Sequence, residues 1–504
     1  MSNRPHNFFR SSGYGRSRPI AAEVSCDKCC VCDGASNSYV WISHYHYVVA
    51  QFLPIHSAME PVQGLYTQRE PKTSPLYRLV MDHFEELKLC YQERFEQTYG
   101  SWKPHWESVV ERFLQCGDLF YGFARVYCHV CCHTFIVPFS CKAREFCPSC
   151  EAKRRASWAM KIIEEVLPCD LAYRMLVFTI PICLRRIFMR ERQLLGDFAR
   201  VSYDCTRRFL CEQFPGIDGV PYFVSAVQTW GDLGQIHPHL HCLVSLGIKD
   251  KVGVFYAAPE TLDFSALEQI FRSAMLKMLR EKNRITEKTQ KNLLSWKHSG
   301  FSTDASVAIA PGDSESLERV ACYVLRPPIS LQRLTYESGS DVVIYRGKYN
   351  PSRKRNFEPL DAKEFLVRLL CHVPVGRECT IRYFGAAAST ERRGRVVQED
   401  SYVSEESKFV KKRRSSWAKM LKRVYGIDPL LCPKCGSLMK VIAMIHDPDV
   451  IERILKHLDR WDPPRGPPLS APGGERTVVY DEANPFPDHD EYEYEYDHAY
   501  DEIP

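Results

Sequence analysis

The sequence predicts an α+β protein in which a cysteine-rich, metal-binding domain precedes a ferredoxin-like antiparallel sheet with helices on one face. Three observations predict this fold. Two CxxC pairs lie close together near residue 140, strand and helix patterns alternate from residue 171 onwards, and three histidines alternate along one apolar strand. With 504 residues the chain is too long for one ordinary core, so we expect two to four domains.

Charge is distributed unevenly along the chain. The formal net charge is +5, but residues 480–504 contain ten Asp or Glu and no Lys or Arg, so the rest of the chain carries +15. A basic body favours a polyanionic partner. The polar, basic N-terminal residues predict no signal peptide, and the lack of an apolar run of about 18 residues predicts no membrane span. We therefore expect a cytoplasmic protein, in which the 22 cysteines bind metal more readily than they form disulfides.

Residues 1–70 have little periodicity and are predicted to be poorly ordered. They contain a tight cysteine cluster that could bind a metal ion, at Cys26, Cys29, Cys30 and Cys32. Residues 71–165 are predicted to form a helical and zinc-binding domain, because apolar residues recur at helical spacing over residues 75–115 and the CxxC pairs follow.

The two CxxC pairs are Cys128 with Cys131 and Cys147 with Cys150, and 15 residues separate the inner cysteines. Each pair can turn both sulfur atoms towards one ion, and two pairs at this spacing are typical of a tetrahedral, structural zinc site. Cys132, His133 and Cys141 are spare ligands nearby, so the sequence leaves the ligand set open.

A basic run follows the second pair, on a predicted helix. It consists of Lys153, Arg154 and Arg155. We expect the zinc site to present this run to phosphates, with a solvated helix face as the alternative.

Residues 166–388 are predicted to form one α+β domain. The predicted elements, in order, are a strand at Ala172–Ile180, a helix at Phe188–Phe214, strands at Tyr222–Trp230 and 236–246, and a helix at Ser265–Arg284. The short loop at 231–234 makes the second and third strands antiparallel neighbours. This order is the start of a ferredoxin-like sheet, with the histidine strand central and one face open to a substrate.

His237, His239 and His241 lie on the third of these strands. Side chains two residues apart on a strand share one face, so all three imidazoles point the same way. Two neutral imidazoles side by side make half of a divalent-metal site. His239 and His241 are the better pair, because Pro238 removes a hydrogen-bond donor just before them. The alternative is three histidines on a solvated or hydrogen-bonded face.

A further helix is predicted at Ser314–Arg326, where Pro327 and Pro328 end it. It carries Tyr323, with Arg319 four residues before it and Arg326 three residues after it, which places both arginines near the face of the tyrosine. A tyrosine beside guanidinium groups can attack a phosphodiester, because the cations hold the phosphate and ease loss of the phenolic proton. A helical tyrosine that merely packs in a core is the alternative.

The remaining residues divide into three predicted regions. Residues 389–416 are a basic linker that could follow a nucleic-acid backbone. Residues 417–460 form a C-terminal helical region with a third CxxC pair, Cys432 and Cys435, for which no second pair is obvious. Residues 461–504 are a disordered acidic tail.

Over about residues 120–460 the chain resembles the rolling-circle HUH transposases of the insertion-sequence ninety-one type. The resemblance depends on six blocks whose joint order is specific. They are Ser140–Cys150, Gln228–Gly231, His237–His241, Tyr323–Ser330, Arg382–Gly385 and Asp428–Cys435.

The resemblance implies an N-terminal zinc-binding domain followed by an HUH nuclease domain. It implies that His239 and His241 hold a divalent cation, Mg²⁺ or Mn²⁺, and that Tyr323 is the nucleophile. Gln228 is our first candidate for the third metal ligand and His237 the second, and Arg319 and Arg326 are expected to position phosphates. Pro327 stands where some members carry a second tyrosine, so this chain looks like a one-tyrosine enzyme.

The function that the resemblance implies is cleavage and rejoining of single-stranded DNA through a 5′-phosphotyrosine intermediate. The partners would be transposon ends and target DNA, in the bacterial cytoplasm at the nucleoid; the oligomeric state stays open. One alternative is an HUH replication initiator or relaxase. Another is a non-catalytic, zinc-dependent DNA-binding protein, against which the intact His239, His241 and Tyr323 argue.

Overall fold

The computed structural model describes residues 71–231, 234–259, 261–297, 299–350, 354–376, 378–388 and 431–461. The predictions for residues 1–70 with their cysteine cluster, for the basic linker and for the acidic tail lie outside these ranges. Within these ranges, no helix has the length and apolar character needed to cross a bilayer.

The described chain begins with three helices, α1 (Pro75–Arg94), α2 (Glu96–Tyr99) and α3 (His105–Leu114). Ser74 caps α1 by accepting a hydrogen bond from the Tyr77 amide at 3.2 Å. The apolar residues of α1 recur every three or four positions and are buried, which is why this stretch folds as a packed helix.

A small hairpin and a longer helix follow. The hairpin consists of β1 (Phe123–Tyr127) and β2 (Thr134–Pro138), which pair antiparallel. Helix α4 (Pro148–Lys161) begins with Pro148 at a position where the missing amide hydrogen is not needed, and it continues into one π-helical turn at Ile162–Val166.

The next elements build the main sheet. In chain order they are β3 (Tyr173–Thr179), α5 (Ile182–Arg190), α6 (Leu194–Cys211), β4 (Gly219–Val220), β5 (Tyr222–Trp230), β6 (Ile236–Ser245), β7 (Gly247–Asp250), β8 (Phe255–Ala257), α7 (Ser265–Glu281), α8 (Glu287–Ser295) and β9 (Ser302–Ile309). After them come α9 (Ser314–Val324), β10 (Leu334–Thr335), β11 (Val342–Asn350), β12 (Arg355–Asp361), α10 (Ala362–His372), β13 (Ile381–Gly385), β14 (Lys440–Ile445) and α11 (Pro448–His457).

The main sheet has five strands in the order β13, β5, β6, β3, β9, and all neighbours pair antiparallel. The predicted pairing of β5 with β6 through the short loop is confirmed, and β6, which carries the three histidines, is the middle strand.

Helices pack on both faces of this sheet, so the prediction of helices on one face and an open second face is wrong. On the first face Phe271 of α7 packs against Phe178 of β3, and Phe198 of α6 stacks on Phe271. On the second face α4 and α9 bury Ala159 and Ala321 with apolar residues of the sheet. The physical reason is that β3, β5 and β6 are apolar on both sides, notably at Tyr173, Met175, Tyr222, Val224 and Leu243.

A second core joins the first helices to later residues. Helices α1 and α3 pack with α10 and with the β10–β12 sheet, in one cluster that runs from Leu76 to Val373. This cluster crosses the boundary drawn at residues 165 and 166. The division into domains therefore stays a prediction.

The C-terminal described segment packs against the β1–β2 hairpin. Strand β14 pairs antiparallel with β1 and completes a three-stranded sheet in the order β14, β1, β2. Helix α11 buries Ile451 and Leu455 with Phe123 and Ile136 on one side of this sheet. Residues more than 300 positions apart in the sequence therefore share one small structural unit.

Candidate active site and metal centres

The histidine strand forms the floor of the candidate active site. His239 and His241 are 6% and 3% exposed, and their ring centroids lie 5.0 Å apart. His237 lies half-buried before them, 4.9 Å from His239 between ring centroids. As the two-residue spacing predicts, all three lie on one face, the face covered by α9.

Tyr323 lies directly beside this row. Its ring stands edge to face with the His241 ring, at 5.4 Å between centroids and an interplanar angle of 82°. The guanidinium carbon of Arg326 lies 5.1 Å from the centroid of the Tyr323 ring, which is a cation–π distance. A phenol, two imidazoles and one guanidinium from distant parts of the sequence therefore meet at one place.

Arg319 does not join this group. Its guanidinium donates to Glu315 Oε1 at 3.0 Å and to Ser316 Oγ at 2.7 Å, and the side chain is exposed. The prediction that two arginines flank Tyr323 is therefore correct for Arg326 and wrong for Arg319, because a carboxylate four residues before Arg319 binds it on the helix surface.

Gln228 connects β5 to α9, the helix that carries Tyr323, through a side-chain hydrogen bond. It lies on β5 directly opposite His239, is 1% exposed, and its Nε2 donates to the Val324 carbonyl at 2.5 Å. Its Oε1 is buried and has no hydrogen-bond partner. An amide oxygen left without a donor is a good ligand for a hard divalent cation, so Gln228 fits the role of third ligand.

The imidazoles are held neutral. Burial, with smaller contributions from neighbouring cations, lowers the pKa of His237 to about 4 and that of His239 to about 3. Burial, with His239 and Arg326 adding to it, holds the pKa of His241 well below its ordinary value. Neutral imidazoles have the lone pairs that a metal ion needs.

A hydrogen bond determines which ring nitrogen of His239 keeps its lone pair. His239 Nδ1 lies 2.7 Å from the His237 carbonyl oxygen, and since a carbonyl only accepts, Nδ1 carries the proton and Nε2 the lone pair. His241 Nδ1 and His237 Nε2 are buried without partners. In the described residues the three histidines do not form a cluster of three ligand atoms within 4.8 Å, so a cation here would need a ligand such as Gln228.

Two cysteine clusters lie away from this site. The first consists of Cys116, Cys141, Cys147 and Cys150, with sulfur–sulfur distances of 3.5 to 3.8 Å. The second consists of Cys128, Cys131, Cys432 and Cys435, with distances of 3.3 and 3.5 Å. Four sulfur atoms bound tetrahedrally to zinc at roughly 2.3 Å lie about 3.8 Å from one another, so both clusters fit a structural zinc ion.

The prediction that Cys128, Cys131, Cys147 and Cys150 form one site is therefore wrong. The two CxxC pairs belong to different clusters. Strand β14 brings Cys432 and Cys435 to Cys128 and Cys131 at the end of the β1–β2 hairpin, whereas Cys147 and Cys150 lie at the start of α4 near Cys116. The third CxxC pair, for which the sequence showed no second pair, completes the second cluster. Cys116 is isolated in the sequence, and no local pattern indicated it.

The basic run on α4 is less accessible than predicted. Arg154 donates to Glu145 and Glu151 at 3.0 Å, and both carboxylates are nearly fully buried. Arg154 thus balances buried charge, which makes it a poor candidate for a contact with DNA. Lys153 and Arg155 are half-buried, and their contact with phosphates stays a prediction.

His372 was also missed in the sequence. It is buried on α10, where its Nε2 donates to the Gly234 carbonyl at 2.9 Å and its Nδ1 lies 3.0 Å from Thr229 Oγ1. These bonds hold both ends of the loop between β5 and β6, next to Gln228 and the histidine strand. A lone histidine on a helix has no sequence pattern that would reveal this contact.

Comparison with known proteins places two parts of the chain in described families. Residues 87–180 match the family described as "Transposase zinc-binding domain", and residues 223–394 match the family described as "Putative transposase". Cys432 and Cys435 lie outside both matches. No solved structure matches the chain.

Two curated relatives are similar over most of their length. The transposase for insertion sequence element IS801 of Pseudomonas savastanoi pv. phaseolicola is 26% identical over 368 residues, which cover 67% of this chain and 83% of that protein. "Putative transposase y4qJ" of Sinorhizobium fredii (strain NBRC 101917 / NGR234) is 27% identical over 329 residues, which cover 61% of this chain and 81% of that protein.

The two family matches and the two relatives thus indicate a transposase, a class of protein whose partner is DNA. More specifically, the matches support an IS91-type transposase, with the zinc-binding domain on the N-terminal side of the transposase domain.

Proposed function

We propose that this transposase cleaves and rejoins single-stranded DNA with Tyr323 as the nucleophile. The observation that carries the proposal is the edge-to-face contact of Tyr323 with His241, at 5.4 Å between ring centroids. A nucleophile on a helix and a pair of metal-ligating side chains on a strand have to lie this close together if they act on one phosphate.

The strand order supports a ferredoxin-like HUH sheet as the framework. Strands β3, β5, β6 and β9 are joined in the pattern β-α-β-β-α-β, with the first and third strands central. This order is the one expected of a ferredoxin-like sheet, and it supports the proposal. Strand β13 adds a fifth strand beside β5.

His239, His241 and Gln228 would hold the divalent cation, Mg²⁺ or Mn²⁺. The fit rests on the lone pair of His239 Nε2 and on the buried, unpartnered Gln228 Oε1 and His241 Nδ1. His237 Nε2, also unpartnered, is the other candidate for the third ligand. When bound, the cation would polarise the scissile phosphate and offset the charge that develops on it.

The protein's own groups account for the remaining chemistry. The Tyr323 oxygen attacks the phosphorus and loses its proton, an O–P bond forms, the bond from phosphorus to the 3′ oxygen breaks, and that oxygen leaves as a hydroxyl after taking up a proton. The DNA 5′ end is then linked to Tyr323. The hydroxyl of another strand reverses the step and joins the ends, with no need for ATP because one phosphodiester replaces another.

Arg326 is the cation expected to hold the scissile phosphate. Its guanidinium lies over the Tyr323 ring, and its Nε is buried without a hydrogen-bond partner. A planar guanidinium with unused donors matches two phosphate oxygens at once.

The comparisons favour a transposase over a replication initiator or relaxase with the same chemistry. The two can be separated by the reaction products. A transposase nicks the ends of its own element and joins them to new target DNA, whereas an initiator or relaxase acts at one origin.

The decisive experiment incubates the full-length protein with labelled single-stranded oligonucleotides and Mn²⁺. We expect a covalent protein–DNA adduct that survives denaturation in the wild type and is absent in Tyr323→Phe. Tyr203→Phe is the matched control, because Tyr203 is a buried helical tyrosine on the opposite face of the sheet. An adduct in Tyr323→Phe would show that another residue is the nucleophile.

A non-catalytic DNA-binding protein would bind the oligonucleotides without forming any adduct. Brief treatment with EDTA in the same assay distinguishes the role of the divalent cation from that of the cysteine-bound zinc. We expect it to abolish adduct formation while the cysteine-bound zinc stays in place, because four thiolates bind zinc far more tightly than two imidazoles and an amide hold a hard cation.

A further inference from the structure

A row of polar side chains crosses four strands of the sheet at the level of the candidate active site. Gln228 of β5 lies opposite His239 of β6, His239 lies opposite Thr179 of β3, and Thr179 lies opposite Ser302 of β9. Side chains directly opposite one another share one face of a sheet. With strands about 4.8 Å apart, the row extends roughly 14 Å, much further than a single phosphate.

The outer half of this row consists of two hydroxyl groups. Thr179 Oγ1 and Ser302 Oγ lie 2.7 Å apart, and both side chains are half-buried rather than covered. Hydroxyl groups commonly donate to phosphate oxygens in protein–DNA complexes. The next row on this face ends at Asp304, opposite Val177, and its carboxylate would repel a phosphate. A phosphate is therefore expected to bind at Thr179 and Ser302 rather than at the row that ends at Asp304.

Arg185 lies beside the same end of the row. It is on α5, and its Nε donates to the Ile180 carbonyl, one residue after Thr179, at 3.3 Å. Its charge is close enough to lower the pKa of both His237 and His239. In the described part of the chain no carboxylate pairs with Arg185, whereas Arg154, Arg192 and Arg284 form ion pairs.

A half-buried guanidinium without a carboxylate beside it carries a charge that is not balanced locally. Moving a charge partly out of water costs free energy unless an anion or several hydrogen bonds compensate. The Ile180 carbonyl satisfies only one of the five donors of Arg185. The remaining donors can accommodate a phosphate, which a planar guanidinium binds through two oxygens.

We propose that Arg185, Thr179 and Ser302 form a second phosphate subsite, which binds the phosphodiester next to the one that Tyr323 attacks. This rests on the proposed function, because it assumes that the scissile phosphate lies between His241 and Tyr323. Arg326 then holds the strand beside His241, and Arg185 holds it at the Thr179–Ser302 end of the row. Two fixed phosphates would define the direction of the strand across the sheet.

The test measures binding of a fluorescent single-stranded thymidine 20-mer to the full-length protein over a range of salt concentrations. Arg185→Ala should bind about 10- to 100-fold more weakly, as expected for a charge-assisted contact. The slope of log affinity against log salt should fall by about 0.7, the value for one phosphate contact with single-stranded nucleic acid. The double variant Thr179→Val/Ser302→Ala should weaken binding in the same direction, and Arg185→Lys should restore part of it.

Arg186→Ala is the matched control, because Arg186 is the exposed neighbour on the same helix. It should change the affinity less than twofold. Zinc content and melting temperature of each variant separate a lost contact from a damaged fold. If Arg185→Ala keeps the wild-type affinity and salt slope, or if Arg186→Ala matches its effect, the subsite is refuted.

The adduct assay distinguishes failure of the nuclease function from failure of the phosphate subsite. An adduct that depends on Tyr323, together with unchanged binding in Arg185→Ala, would refute the subsite and leave the nuclease function standing. No adduct in the wild type, together with weaker binding and a smaller salt slope in Arg185→Ala, would refute the nuclease function and leave a phosphate contact at Arg185.

Discussion

The second cysteine cluster makes a sharp prediction about zinc content. Cys432→Ser removes one of its four ligands, and a serine hydroxyl is a poor substitute for a thiolate. We expect bound zinc to fall by one ion per chain, since the first cluster shares no ligand with the second. Cys147→Ser should also reduce the content by one ion, and the variant with both changes should lose two ions per chain.

The effect on structure should be local for Cys432→Ser. Binding of a structural zinc ion contributes on the order of 10 to 16 kcal/mol in isolated zinc-finger peptides. The segment around the cluster buries three large apolar side chains, Met439, Ile451 and Leu455, which together contribute about 5 to 9 kcal/mol at most. The metal therefore stabilises the packing of β14 and α11 against the β1–β2 hairpin more than these apolar contacts do, and its loss should release both elements.

Metal analysis of the purified protein and limited proteolysis measure the two effects. In Cys432→Ser we expect cleavage that removes the segment containing residues 431–461 at protease concentrations that leave the wild type intact. Cys169→Ser is the control, because Cys169 is exposed and lies in neither cluster. A Cys432→Ser variant that retains as much zinc as the wild type, or a wild type that binds only one ion, would refute the assignment of a second centre.

Two further predictions concern the histidine row. Gln228→Met should weaken Mn²⁺ binding by roughly 10-fold or more, whereas His237→Ala should change the affinity little. The affinity is measured by titrating Mn²⁺ into protein whose active site has been depleted of metal. The opposite result would make His237 the third ligand. Lower pH should reduce the stability of the folded protein. In the unfolded chain His239 and His241 take up protons below about pH 6.5. In the folded protein burial keeps the pKa of His239 near 3 and that of His241 well below 6.5, so the folded state binds fewer protons. The free energy of unfolding should fall between pH 6.5 and 4.5 by up to about 1.4 kcal/mol per pH unit for each histidine. His239→Gln should show a shallower fall by denaturant titration, and equal slopes in both proteins would contradict this reasoning.

Local patterns in the sequence were enough for the parts of the site that depend on one element. The spacing of His237, His239 and His241 predicts a shared strand face, because the pleat alternates side chains with a period of two. The Ser314–Arg326 helix is predicted by its apolar spacing and by Pro327, and the structure places Tyr323 on it beside His241. The pairing of β5 with β6 follows from the length of the loop between them.

Other features depend on residues that only the fold brings together. Any two of the three CxxC pairs in the described residues could complete one zinc site. The choice was decided by the pairing of β14 with β1, two strands more than 300 residues apart in the sequence. Arg154 looked like a phosphate contact until the fold placed two buried carboxylates beside it.

The sequence by itself thus determined which chemical groups this transposase has and which of them share a strand or helix face, because those properties depend on local backbone geometry. The tertiary structure alone decided which cysteines share an ion, which arginines are already neutralised and which face of the sheet is covered. Those outcomes depend on contacts between residues hundreds of positions apart, for which the chain carries no local periodicity.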